Sequence, residues 1–105
     1  MDRDAAKGWI SETCGPGWLP LLDEVFDNLP AGVVILQVYQ KWASLQFDFM
    51  PNDEAFSDFL WDVQERSERT CEVCGALGYH FVINHCEHTR CLLHSEGGVS
   101  LDAPA

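Results

Sequence analysis

Basic residues are scarce in this chain. Six Lys and Arg stand against seventeen Asp and Glu in 105 residues, a formal net charge of −11. A field of that sign argues against binding DNA or RNA by neutralising phosphates, and against docking on anionic lipid. Long hydrophobic runs are also missing. The most apolar segment, Val33–Leu36, falls far short of the roughly 18 residues of a membrane span. The N-terminus, MDRDAAKGWISE, lacks the positively charged start and apolar run of a secretory leader. These absences predict a cytoplasmic protein in a reducing compartment. No Gly-rich phosphate loop and no evident Ser, His and Asp arrangement is present, so the expectation is that the chain is not an enzyme.

What is present is enough to build a core. Hydrophobic residues make up 47% of the chain, with four Trp, six Phe and two Tyr, so a single folded domain over residues 1–105 is expected. The first twelve residues and residues 96–105 carry no pattern long enough to demand packing and are expected to fray. The most order that the N-terminus promises is a short helix over Asp4–Ser11. After the turn Cys14-Gly-Pro-Gly17, residues Trp18, Leu21, Leu22, Val25, Phe26 and Leu29 follow helical spacing, with Pro20 tolerated in the first turn.

The period then changes. Val33–Tyr39 reads as a β-branched strand, and Leu45, Phe47 and Phe49 alternate with polar residues, predicting an antiparallel hairpin that turns near Gln40–Ala43. Asn52 is the expected cap of a helix running to about Arg69, with Phe56, Phe59, Leu60 and Val63 on its apolar face. The fold class predicted is α+β, helices packed on a small antiparallel sheet with a C-terminal zinc-knuckle module over residues 71–94. The expected core is Trp18, Leu21, Leu22, Val25, Leu29, Val34, Leu36, Val38, Leu45, Phe47, Phe49, Phe56, Phe59, Leu60 and Val63.

The five cysteines are unevenly placed, four of them after residue 70, and an odd number does not suggest a disulfide framework. Cys71-Glu-Val-Cys74-Gly75 is followed, sixteen residues later, by Cys91-Leu-Leu-His94. Two closely spaced thiolates supply two corners of a tetrahedron, and Gly75 permits the tight turn behind them. Cys91 and His94 supply the other corners, and three sulfurs with one imidazole suit zinc. A redox pair would need a thiol acidified at a helix N-terminus, whereas this pair follows a helix. Cys86 or His88, inside the spacer, are alternatives to Cys91 or His94. The spacer itself can hold a small hairpin across Tyr79–Asn84.

The acidic helix offers a second candidate site. Glu54, Asp58, Trp61, Asp62 and Glu65 share the face opposite the apolar one. Repeated like charges at four-residue spacing slightly destabilise a helix, and a charged face is ordinarily a solvated one. A Trp ringed by carboxylates nevertheless has the composition of an interface anchor with a charged rim, directed at a basic protein or a second copy of the chain.

With those motifs set out, the chain resembles a group of short uncharacterised bacterial and phage proteins. The resemblance rests on Gly17-Trp-Leu-Pro-Leu-Leu22, the hairpin over Val33–Phe49, the acidic helix over Asp53–Thr70, the Ser67-x-Arg-Thr-Cys-x-x-Cys-Gly75 stretch and Cys91–His94, and it covers roughly residues 15 to 95. It implies the architecture and says little of activity. Where such proteins carry a Gly-Gly-Leu-Arg-Phe-like strand, this chain has Ala43-Ser-Leu-Gln-Phe47, without the arginine. Charge and resemblance together lead to the expectation of a small acidic zinc-stabilised inhibitor or immunity-type protein acting on a basic nucleic-acid-processing enzyme or defence complex. A structural zinc-containing adaptor subunit is the alternative.

Overall fold

A computed structural model describes residues 1–100 and 102–104. Among these residues the chain forms three α-helices and two small antiparallel sheets, an α+β fold. Helix α1 spans Arg3–Thr13, α2 Leu19–Asp27 and α3 Glu54–Ser67. Strands β1 (Val34–Lys41) and β2 (Ser44–Met50) make one hairpin. Strands β3 (Tyr79–Ile83), β4 (Cys86–Arg90) and β5 (Val99–Ser100) make the second sheet in the order β4-β3-β5. No described helix is long and apolar enough to cross a membrane.

The N-terminus does not fray. Asp2 caps α1 by accepting from the Ala5 amide at 2.8 Å. Ala6 and Ile10, one turn apart on the inner face, are fully buried. The Met1 ammonium donates to the Ile35 carbonyl at 2.7 Å, and Arg3 and Lys7 pair with Asp27 and Asp23 of α2. The expectation of a loose end failed because only two apolar residues face the core, too few to stand out as a periodic pattern.

Helix α2 has the predicted form, with Pro20 in its first turn and Leu21, Leu22 and Val25 buried. Trp18, just before it, is fully buried, and its indole N–H donates to the Thr70 carbonyl at 2.7 Å. Helix α3 begins one residue later than expected. Asp53, not Asn52, is the cap, accepting from the Phe56 amide at 2.9 Å. Phe56, Leu60, Val63 and Ser67 form its buried stripe, and Phe56 meets Phe49 of β2 edge to face. The Ser67 hydroxyl accepts from the Leu45 amide, tying the end of α3 to β2.

The β1 part of the predicted core needs correction. Val33, Ile35 and Val38 are buried, whereas Val34 and Leu36 are each 50% exposed. The strand pairing shifts between Ile35 and Gln37, leaving Leu36 without an opposite residue on β2. That extra residue reverses the side-chain alternation, so the inner face runs through 35 and 38 instead of 34, 36 and 38. Leu29, Phe47, Phe49 and Phe59 pack against the core without being fully enclosed.

The C-terminal segment is likewise ordered over its described part. Val99 and Ser100 pair with Val82 and Phe81, and Asp102 accepts from the His80 amide at 2.8 Å. Leu101 and Ala105, also within the stretch expected to fray, lie outside the described residues. The second hairpin is longer than the predicted Tyr79–Asn84 segment, because β4 returns alongside β3 after a turn at Asn84 and His85.

Replacing Ile10 by Ala should destabilise the protein by about 2–4 kcal/mol, the usual cost of emptying a filled core site. Urea unfolding checks this; a frayed N-terminus would give a change within about 0.5 kcal/mol.

Candidate metal centre and acidic face

Cys71 and Cys74 lie on the loop that leaves α3, and after β4 Cys91 precedes a single helical turn that His94 ends. Folding closes the sixteen-residue gap between the pairs. One ligand atom from each of the four lies within 4.8 Å of all the others, a cluster positioned to hold a metal ion. Cys74 Sγ is 3.6 Å from Cys91 Sγ, Cys71 Sγ is 3.7 Å from His94 Nδ1, and Cys91 Sγ is 3.0 Å from the same nitrogen. Ordinary zinc bond lengths place neighbouring corners of a tetrahedron roughly 3.5–3.8 Å apart. Two of these edges match and the third is shorter. Cys86 and His88, the alternatives left open by spacing, are not in the cluster. Cys86 is exposed at the start of β4, and His88 is engaged elsewhere.

The backbone around the cluster favours thiolate. Burial alone would raise the Cys71 thiol, but the amides of Cys91, Cys74 and Val73, together with the His94 ring, bring it down to about 6. For Cys74 the Ala76 amide favours the thiolate, but desolvation and the neighbouring Cys91 and Cys71 sulfurs outweigh it and push this thiol up. A cation among the sulfurs removes that repulsion, and a metal ion requires thiolates. Gly75 adopts φ +81°, the left-handed conformation expected of it, and its amide donates to the Cys71 carbonyl at 2.8 Å.

Two features of this region, at Gly17 and Glu72, were not anticipated. Gly17 packs directly on the Cys71–Gly75 loop. A Cβ there would stand 2.0 Å from the Cys71 carbonyl oxygen, and the Gly17 amide donates to the Glu72 carbonyl at 2.8 Å. Only a residue without a side chain allows that approach. Glu72, between the two cysteines, is fully buried. Its Oε1 lies 2.6 Å from Arg90 Nε and 2.5 Å from His88 Nδ1. Arg90 also donates to the His94 carbonyl at 3.2 Å, so one guanidinium spans both ligand-bearing loops. Cys14 packs against the main core, and burial, foremost, raises its thiol above the ordinary range. Nothing in the sequence distinguished Glu72 from a solvent-facing knuckle residue, since the position between two ligands commonly faces outward.

The acidic face of α3 is where the spacing placed it. Glu54, Asp58, Trp61, Asp62 and Glu65 are all exposed, and Trp61 is 62% exposed with its indole N–H donating to Glu65 at 3.1 Å. Asp62 differs from the other carboxylates. It pairs with Arg66 at 3.0 Å, and the same guanidinium grips Glu24 of α2, holding that carboxyl below its usual range. Among the described residues, Glu54, Asp58 and Glu65 have no Lys or Arg partner.

In comparisons with known proteins, no family model matches this chain, and no curated protein or solved structure matches it.

Cys74→Ser should abolish stoichiometric metal binding, with a loss on the order of 10 kcal/mol of metal-linked folding energy. Elemental analysis after dialysis and amide exchange check it, the exchange speeding up across β3–β5 before the α1–α3 core. Arg90→Ala should cost roughly 3–5 kcal/mol by removing the guanidinium from a buried carboxylate. Denaturant unfolding of the metal-loaded protein measures that cost, and a change under about 1 kcal/mol would show that His88 alone suffices.

Proposed function

We propose that this chain is a small zinc-stabilised acidic protein that binds a basic protein partner through the exposed face of α3. In its concrete form it is an inhibitor or immunity-type protein acting on a basic nucleic-acid-processing enzyme or defence complex. The observation that carries this reading is Trp61, an exposed indole that donates to Glu65 on the helix face it shares with Glu54 and Asp58, carboxylates with no Lys or Arg partner among the described residues. An aromatic anchor within a rim of free negative charge suits a surface bearing Lys and Arg, and the net charge of −11 would speed the encounter.

Zinc is the metal assigned to the cluster, on the strength of three sulfurs, one imidazole and two edges of tetrahedral length. Four protein donors complete its coordination and leave no position for an activated water, so the metal's part is structural. Its neutralisation of the cluster is partial, since three thiolates exceed the two charges of zinc. Five unpaired cysteines accord with a cytoplasmic location.

A second reading, an adaptor subunit of a larger complex, draws on a different surface. Leu77, Leu92 and Leu93 lie exposed on the loops that carry the ligands, with Leu93 at 89%. Apolar residues so placed are suited to a permanent, salt-insensitive interface.

Reversing Glu54, Asp58 and Glu65 to Lys tests the first reading. Zinc-loaded protein should capture a basic partner from bacterial lysate in a salt-sensitive manner and lower that partner's activity, and the reversed variant should lose capture at least tenfold. Unchanged capture by the variant, or a fixed-ratio assembly indifferent to salt, would favour the adaptor.

A further inference from the structure

A cleft of about 450 Å³ opens between α1, the β1–β2 turn and β4. Trp9 of α1, Tyr39 of β1 and Trp42 of the turn line it, together with Glu87; no Lys or Arg is among its lining residues. Its size is that of an ordinary small-ligand site, mostly apolar with a few polar groups.

Trp42 is the unusual member. The β1–β2 turn has two central residues, Trp42 at φ +53° and Ala43 at φ +64°, the twist of a type I′ turn. Asn-Gly is favoured in such turns because a side chain at positive φ crowds its own backbone, and for a bulky residue the conformation is rare and costly. Packing does not explain the choice of residue, because the Trp42 side chain is 69% exposed. Backbone strain kept for a ring that stands open beside a cleft points to use of the ring. Its face already accepts a cation within the chain, with Lys41 Nζ 4.6 Å from the ring centroid.

We propose that this cleft binds an organic cation, the Arg or Lys side chain of a basic protein, against Trp9, Tyr39 and Trp42. Aromatic faces attract cations through the ring quadrupole, and the attraction strengthens as the site is desolvated. The proposal deepens the reading of a basic partner and rests on it for the source of the cation. It adds a contact surface made by elements other than α3.

The test uses the free side-chain head, independently of any partner. Zinc-loaded, ¹⁵N-labelled protein is titrated with N-acetyl-arginine amide and, separately, with N-acetyl-citrulline amide, its uncharged isostere. The indole cross-peaks of Trp9 and Trp42 should move with arginine amide and saturate, while those of Trp18 and Trp61 stay in place. The citrulline compound should bind about fivefold more weakly, the usual worth of one cation–π contact. Trp42→Asn suits the turn better than the native residue, so it should fold normally and lose arginine-amide binding by a similar factor. Equal binding of the two amides, undiminished binding by the Asn variant, or shifts confined to Trp61 would each overturn the assignment. Because the readout needs no partner, failure of the α3 reversal to disturb partner capture would remove the docking face and leave the cleft's affinity for the cation standing.

Discussion

Burying a carboxylate costs several kcal/mol unless a cation and further donors meet it. In this chain Glu72 is fully buried between two candidate metal ligands, and the surrounding structure meets that requirement at one oxygen, Oε1, while Oε2 is buried with no hydrogen-bond partner among the described residues. Arg90 and His88 come from β4 to its Oε1, which fixes β4 beside the knuckle loop. Arg90 reaches on to the His94 carbonyl and so couples the second ligand pair to the first. On the opposite side, Gly17 accepts the close approach of the same loop, and the Glu72 carbonyl receives its amide. The metal cluster, the N-terminal turn and the C-terminal sheet therefore depend on one buried acidic side chain and its backbone.

That junction is reinforced by contacts that cross between the two sheets. Thr89 of β4 donates to the Ala43 carbonyl at 2.6 Å, and Gln40 of β1 donates to the Glu87 carbonyl. Trp18 reaches past its own helix to the Thr70 carbonyl. A small domain buries little apolar area per residue, so polar contacts between its parts add stability that the core alone does not supply. The same contacts hold the β1–β2 turn against β4 and shape the cleft beside Trp42.

The two candidate interaction surfaces share a chemistry and differ in construction. On α3 the negative charge is carried on a regular helix face, where exposure leaves each carboxylate hydrated and screened by salt. In the cleft the binding groups are aromatic rings, whose attraction for a cation is less dependent on long-range charge. Arg66 marks a limit on the helix surface. By pairing with both Asp62 and Glu24 it acts within the fold, so the free charge is concentrated nearer Glu54, Asp58 and Glu65.

Local regularities made much of this protein legible without its structure. Helical spacing from Trp18 and from Phe56 located α2 and α3, because a buried face must recur every three or four residues. Cys-x-x-Cys and Cys-x-x-His spacing named the four clustered donors, since adjacent thiols on one loop can turn to a single point. Sequence also fixed the exposure of the α3 carboxylates, which follows from their angle around the helix. Tertiary structure decided what has no local period. A single unpaired residue at Leu36 reversed the phase of β1, and two buried side chains were enough to anchor α1. Glu72 was met by residues sixteen and eighteen positions away, and Trp42 was left at positive φ over a cleft that three separate elements create. Contacts between distant segments carry no pattern along the chain, because only their meeting in space gives them a physical consequence.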